Sequence, residues 1–402
     1  MKSELDENKI RAWRSHRQGL DGSLANKSAA EVLECSGWAR SVGGVGPYLT
    51  IFSRTGLSRE AIDAAVKKLE IHELPTARGC TYVLPARDFA LGLAVGAGFG
   101  TASEMKLAKK LGVTETEVEK LCGAVLEVLA MGEKTPDEIR ESTGSAARSL
   151  GSAGKAKGLT TTLPLALGQL QSRGEIRRVP VNGRLDQQRY RYARWKLNPL
   201  SKFELSPQEA FIELARLFFS WIGPATTAEF QAFSGLGVRS AKAALEPLML
   251  AGIGPSDERM LLPEDLPKFH AFKPDKNPSY VLTSGLDSLV LLRRELSGLV
   301  TPEDSKRLAQ LEAGTEDAGS ALRDLPSHAI WDRGRLVGLW EYDVSSKRIV
   351  WWSLSTRDKE LEKAVAKMEA FVRDQLEDAR SFSLDSPASR VPRIEALRRA
   401  AK

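Results

Sequence analysis

The densest chemistry in the chain lies between Arg177 and Arg194. Six arginines (Arg177, Arg178, Arg184, Arg189, Arg191 and Arg194) face a single acid, Asp186, leaving a local charge of +5. Tyr190 and Tyr192 are interleaved with them. A one-signed arginine ladder suits a nucleic-acid backbone, because each guanidinium presents a fork of donors to a phosphate. The plainer alternative is a solvated edge strand, although lysine is the usual residue for that task. A second basic stretch, Ala146–Gly158, places Arg148, Lys155 and Lys157 on a glycine-rich backbone that could follow phosphates or be a surface loop. It lacks the GxxxxGK[ST] spacing, and Ala156 stands where Ser or Thr would hold magnesium. For acid–base work the candidates are few. Asp287 follows an apolar strand within Gly285-Leu-Asp-Ser and reads as a catalytic acid or as a turn residue.

Metal and thiol chemistry find no support. None of the four histidines has a Cys or His at ligand spacing, and the three cysteines are far apart and odd in number. No metal or cofactor is expected. With 402 residues, 42% of them apolar and 27% charged, the chain suits two or three folded domains. Net charge is only +6, so the distribution of the basic residues matters more than their total. No apolar run approaches the ~18–20 residues that span a bilayer. A cytoplasmic monomer with no membrane partner is expected.

The elements that must hold these residues are repeated. Gly132, Thr135, Glu138, Ile139 and Gly144 recur 91 residues later as Gly223, Thr226, Glu229, Phe230 and Gly235. Ala166, Leu167, Leu170 and Gly174 recur 78 residues later as Ala244, Leu245, Leu248 and Gly252, so the first copy carries a thirteen-residue insert. In each copy an amphipathic helix (residues 114–131 and 207–222) precedes a T-x-x-E capping box. A short helix ending at glycine follows, then a third helix (residues 160–172 and 240–250). After Gly174 the arginine-rich stretch, with Asn182-Gly183 as a turn signal, predicts a hairpin. Three helices and a hairpin make a winged helix-turn-helix, whose third helix ordinarily enters a major groove. Helical patterns at residues 28–35, 47–54 and 58–70 before a hairpin at 71–84 predict a divergent third copy. Beyond the proline-rich 252–279, the segment 280–292 reads as a strand and 301–319 as a loop or solvated helix. A meander at 328–332, 335–342 and 347–354 follows, with its tryptophans in the core. A helix at 356–376 packs on it, and 381–402 reads as a loose basic tail.

Several segments then resemble one family, the AlkZ-like winged-helix DNA glycosylases, which include the YcaQ-like crosslink-repair enzymes. They are Arg14–Leu20 (RSHRQGL), Arg78–Asp88 (RGCTYVLPARD), Gly132–Glu138, Gly223–Thr226 (GPAT), Phe233–Leu236 (FSGL) and Gly334–Trp340 (GRLVGLW). The resemblance implies tandem winged helices with a C-terminal β-domain. It also implies a Gln-x-Gln or Gln-x-Asp motif that positions the water attacking the anomeric carbon. Anchored on Tyr48 and Arg54, that motif falls on Arg40-Ser41-Val42, so both water-holding residues are replaced. A fixed arginine would repel the cationic, oxocarbenium-like state of the reaction, and valine holds no water. Asp287, Gln18 or Glu34 would have to supply the missing acceptor, and Arg40 would be left to hold a phosphate or to pair with Glu34.

The expected fold is therefore α+β: tandem winged helix-turn-helix units and a C-terminal antiparallel β-domain, divided at 1–113, 114–200, 201–263 and 264–402. The expected function is recognition of damaged or distorted double-stranded DNA. Excision of alkylated bases or crosslinks by a rearranged site is the enzyme alternative, and a transcriptional or self-resistance binding protein is the third. A buried carboxylate facing the C-shaped cleft that the resemblance implies would favour the enzyme, and its absence would favour binding.

Overall fold

The computed structural model describes residues 6–99, 102–187, 189–255, 257–293, 296–313, 325–355 and 358–401. Helix α1 (Glu7–Arg17) leads into a first segment: α2 (Ala29–Ser36), β1 (Ala39–Arg40), α3 (Gly46–Thr55), α4 (Arg59–Lys67), β2 (Ile71–Pro75) and β3 (Thr81–Pro85). The three strands form an antiparallel sheet in the order β1-β3-β2. Ser28 opens α2 with a capping box through Glu31, and Ser58 caps α4, so polar side chains satisfy amides that a helix start leaves unpaired. Helices α5 (Phe89–Gly96) and α6 (Ala102–Lys109) connect onward.

The second segment runs α7 (Glu115–Ala130), α8 (Pro136–Thr143), α9 (Gly151–Lys155), α10 (Leu163–Ser172), β4 (Ile176–Pro180) and β5 (Tyr190–Arg194). The third runs α11 (Pro207–Ile222), α12 (Thr227–Ser234), α13 (Val238–Leu245), β6 (Ala251–Gly252) and β7 (Met260–Leu261). Both T-x-x-E boxes close: Thr135 with Glu138, and Thr226 with Glu229. The repeat extends to strand pairing that sequence similarity alone does not reveal. Lys134 bridges to Tyr192 on β5, and Ala225, 91 residues later, bridges to Met260 on β7. In the first segment Ala39 and Arg40 likewise pair with the second hairpin strand, β3. All three segments thus share one order of elements and one strand pairing.

Two local expectations need correcting. The thirteen-residue insert contains the short helix α9 and a Ser149–Thr161 bridge, so it is more structured than an open loop. The hairpin does not turn tightly at Asn182-Gly183. Its strands end at Pro180 and restart at Tyr190, leaving a long connection.

The C-terminal region begins with α14 (Leu266–Ala271), β8 (Tyr280–Thr283), α15 (Ser288–Leu291) and α16 (Pro302–Ala313). Strands β9 (His328–Asp332), β10 (Arg335–Asp343) and β11 (Arg348–Ser353) complete an antiparallel sheet ordered β11-β10-β9-β8. Helix α17 (Lys359–Phe371) packs on it, with Phe52 of α3 stacked on Phe371 at 3.8 Å. The strand read at 280–292 stops at Thr283, because Asp287 caps a helix there. The 301–319 segment is helical to Ala313, and residues 314–319 lie outside the described ones. The tail is not loose. Ser386 caps α18 (Pro387–Ala400), and Arg393 and Arg398 tie that helix to Glu341 and Asp343 of β10. Trp331, Trp340 and Trp352 are buried, as a core role requires.

The second segment has a core of its own, from Ala108 to Tyr192. Residues of the first segment, the third and the C-terminal sheet instead share one continuous core, to which Leu74, Phe218 and Leu339 belong. No helix among the described residues is long and apolar enough to cross a membrane.

Candidate functional site

The positions that the resemblance assigns to the water-holding motif, Arg40 to Val42, begin at the end of strand β1. Arg40 lies opposite Tyr82 on β3, and strand alternation buries Ala39 and Ser41 while leaving Arg40 and Val42 half-exposed. The Arg40 guanidinium donates through Nη1 to the Thr81 carbonyl at 2.9 Å and lies 5.3 Å from the centre of the Tyr82 ring. A pairing with Glu34 is not made. Glu34 accepts instead from Arg87 at 3.0 Å. Val42 offers only its backbone carbonyl, which accepts from the Ser383 amide at 3.0 Å. Neither side chain brings an acceptor that could hold a water.

Of the substitute acceptors, two are locked into one buried knot. Asp287 is fully buried and accepts from Arg54 Nη1 and Nη2, both at 2.9 Å, and from the Thr50 hydroxyl at 3.1 Å. Its Oδ1 also caps α15 through the Leu289 amide. Gln18, equally buried, accepts from Arg54 Nη2 at 3.0 Å and donates to the Trp221 carbonyl at 2.8 Å. A carboxylate so saturated, with no exposed surface, holds α1, α3 and α15 together and has no oxygen facing solvent. This geometry gives Asp287 and Gln18 an anchoring role between helices, nearer to the turn-residue reading of Asp287 than to the catalytic one.

Sequence reasoning missed Glu73. It sits on β2, almost wholly buried, and its Oε2 accepts from the Ser41 hydroxyl at 2.9 Å, between the two motif positions. Arg178 Nη1 donates to Oε1 at 3.2 Å, and the Tyr190 hydroxyl reaches both oxygens at 3.3 and 3.2 Å. Burial and the adjacent Glu73 carboxylate raise the pKa of Tyr190, so its proton stays in place as a donor. This cluster joins the first sheet to the arginine-rich hairpin. Beside it a cavity of about 350 Å³ is lined by Pro75, Thr81, Glu104, Gln171, Arg178 and Tyr192. The signal in the sequence was Ser41 within the motif, but only the β1-β3-β2 strand order brings Glu73 to it.

The arginine ladder divides in two. Arg178 stacks over Tyr190 at 5.1 Å and pairs with Glu73, while Arg177 lies 5.9 Å from the Trp195 ring. Arg184 forms a two-pronged pair with Asp186 at 2.9 and 2.5 Å and donates to the Leu376 carbonyl. Arg189, Arg191 and Arg194 are exposed and form no ion pair among the described residues. In the insert, Arg148 is taken up by Glu117 at 2.7 and 3.2 Å, whereas Lys155 and Lys157 are exposed. The third helix of the second segment, α10, cannot act as a basic reading helix. Leu163, Leu165, Ala166, Leu167, Leu170 and Gln171 are buried, and it has no lysine or arginine. Its counterpart α13 does expose Arg239 and Lys242, which sequence reasoning had not singled out.

The signature segments are largely scaffolding. Trp13, Arg14, Arg17 and Gln18 donate to the carbonyls of Ser220, Trp221, Ile222, Gly223 and Pro224, satisfying the acceptors left over at the end of α11. Burial drives the Arg14 pKa well down. Burial also works against ionisation of Glu229, but Arg14 and Arg293 outweigh it and keep its pKa below the usual range. Gly334, at φ +78°, lies where a side chain would strike the Arg11 carbonyl, which explains the glycine that opens GRLVGLW.

The chain is thus α+β, with three like helix-and-hairpin segments, exposed arginines on the second hairpin and a C-terminal four-stranded antiparallel sheet. The family described as DNA glycosylase AlkZ-like matches residues 45–371, and the chain belongs to it. The match begins just past Val42. Among solved structures, the Streptomyces sahachiroi DNA glycosylase AlkZ is similar over 95% of this chain and 99% of that one, with a TM-score of 0.70 and 19% identity. At that identity the likeness shows the fold. No curated protein is matched by sequence.

Proposed function

We propose that the protein binds double-stranded DNA in a repair setting, recognises damaged or distorted duplex, and excises alkylated bases slowly or not at all. The observation that carries this is the occupancy of the motif strand. Arg40 spends its guanidinium on Thr81 and Tyr82, and Val42 is apolar, so the water required for N-glycosidic hydrolysis has no holder. The family supports DNA as the partner, and Arg189, Arg191, Arg194, Lys155, Lys157, Arg239 and Lys242 are the exposed cations available to phosphates. Each such cation adds affinity without sequence preference, which fits a protein that reads duplex distortion. We read the three repeated segments as winged helices. The test is a DNA-binding titration run beside base release from duplex containing N7-methylguanine.

One observation favours a second reading. Glu73 is a buried carboxylate bonded to the residue between the two motif positions, where it could stabilise an oxocarbenium-like state. Its oxygens are already bonded to Ser41, Tyr190 and Arg178, so hydrolysis through Glu73 requires one of those donors to leave. Measurable base release that disappears in Glu73→Gln would establish it.

A further inference from the structure

We propose that the loop from Ser381 to Ser386 is a wedge that enters the base stack at a distorted step, with Phe382 and Leu384 as the inserting side chains. The proposal rests on the DNA-binding reading above. Phe382 is 43% exposed and Leu384 83% exposed, an unusual place for two large apolar groups one residue apart. The loop that carries them is closed by hydrogen bonds of its own. The Asp385 carboxylate, almost fully buried, accepts from the Ser381 amide at 2.8 Å and from Arg393 at 2.7 Å. The Asp385 amide donates to the Phe382 carbonyl and the Ser386 amide to the Leu384 carbonyl, both at 3.0 Å. Hydrogen bonds of this kind lower the ordering cost of displaying apolar groups to a partner.

Its position suggests what that partner is. The Ser383 amide donates to the Val42 carbonyl at 3.0 Å, and the Val45 amide donates to the Arg380 carbonyl at 2.9 Å. The wedge is thereby fixed to the motif strand. Gly44 permits this approach, because a side chain there would run into the carbonyls of Arg380 and Ser381. The glycine-rich run Val42-Gly-Gly-Val-Gly46 thus gains a physical reason. On its other flank, Arg380 donates to the Asp186 carbonyl, which ties the loop to the connection of the arginine-rich hairpin. Exposed Arg189 and Arg191 follow in that same hairpin. Two exposed apolar side chains on a loop tied to a hairpin that carries exposed cations suit a duplex, whose phosphates can meet cations while its bases accept an apolar wedge between steps. Insertion is easiest where a base is damaged or missing and unstacking costs least.

The test uses the full-length protein, an intact duplex, and the same duplex carrying a tetrahydrofuran abasic analogue next to 2-aminopurine. The unmodified protein should prefer the abasic duplex and change the 2-aminopurine fluorescence. Phe382→Ser with Leu384→Ser should lose about tenfold of that preference, roughly 1.4 kcal/mol, along with the fluorescence change. Its intact-duplex affinity and salt dependence should stay unaltered, since no charge is removed. Gly44→Ala, which pushes the loop away from the Val42–Val45 backbone but keeps both apolar groups, should lose the same preference. Retention of the preference and of the fluorescence change by the double variant overturns the wedge while leaving DNA binding intact. Failure of the unmodified protein to bind either duplex overturns the DNA reading, and the wedge falls with it.

Discussion

Replacing Asp287 by asparagine separates a structural anchor from a catalytic acid. The Arg54 and Asp287 side chains are both 0% exposed and meet through two charge-assisted bonds of 2.9 Å. Asparagine retains one oxygen, enough to cap α15 and accept from Arg54 Nη2, but it removes the charge and sets an NH2 donor where Oδ2 accepted from Arg54 Nη1 and Thr50. Arg54 is then left buried without a counter-ion, a condition that costs about 3–5 kcal/mol. Equilibrium urea unfolding followed by tryptophan fluorescence measures this directly, with Arg54→Met and the double variant alongside. The two single variants should each lose about that amount, and the double variant should lose far less than their sum. A single-variant loss below about 1 kcal/mol, with additive effects, would refute the anchor. A folded Asp287→Asn protein that had lost only base release would put the carboxylate in the chemistry instead.

Other expectations follow from the same geometry. Converting Arg189 and Arg191 to glutamine should lower the slope of log affinity against log salt by about 0.9 for each phosphate no longer neutralised, in a binding titration over several salt concentrations. Arg184→Gln should instead loosen the hairpin, measured as a lower unfolding midpoint, because Arg184 holds Asp186 and the Leu376 carbonyl. Arg148→Gln should change stability by less than about 1 kcal/mol, as befits an exposed pair with Glu117, and should leave the salt slope unchanged. His72 is buried with both ring nitrogens unbonded, and burial, aided by Arg177 and Arg178, lowers its pKa to about 3. The unfolded chain takes up that proton near pH 6.5 and the folded one only near 3, so stability should fall as pH drops through that window. The slope is on the order of 1 kcal/mol per pH unit, and His72→Leu should flatten it in urea melts at stepped pH.

The elements were more legible than the site. Capping boxes at Thr135 and Thr226 mark helix starts by local hydrogen bonding alone, and the structure has both. The meander at 328–354 was readable for a similar reason, since alternation and turn residues are local signals. Helix α18 was not, because its arginines suggested a solvated tail until Glu341, Asp343 and Asp385 met them from other parts of the chain. The same limit applies to the site. Asp287 was left between a catalytic acid and a turn residue because its partner Arg54 lies 233 residues away, and Glu73 went unnoticed because only strand order brings it to Ser41. The arginine ladder was visible as composition, but which arginines remain exposed depends on Glu73, Asp186 and Trp195 in three dimensions.

The most direct test of the central claim measures binding and base release together, on one duplex containing a single N7-methylguanine. Arg40 is half-exposed, so its repulsion of a developing unit charge ~4 Å away lies between about 1 kcal/mol in water and about 4 kcal/mol at an effective dielectric near 20. That corresponds to a rate penalty between about fivefold and about a thousandfold. The account predicts saturable binding, slow or undetectable release by the unmodified protein, and faster release when Arg40→Gln is combined with Val42→Gln. Rapid release by the unmodified protein, unchanged in that double variant, would contradict it.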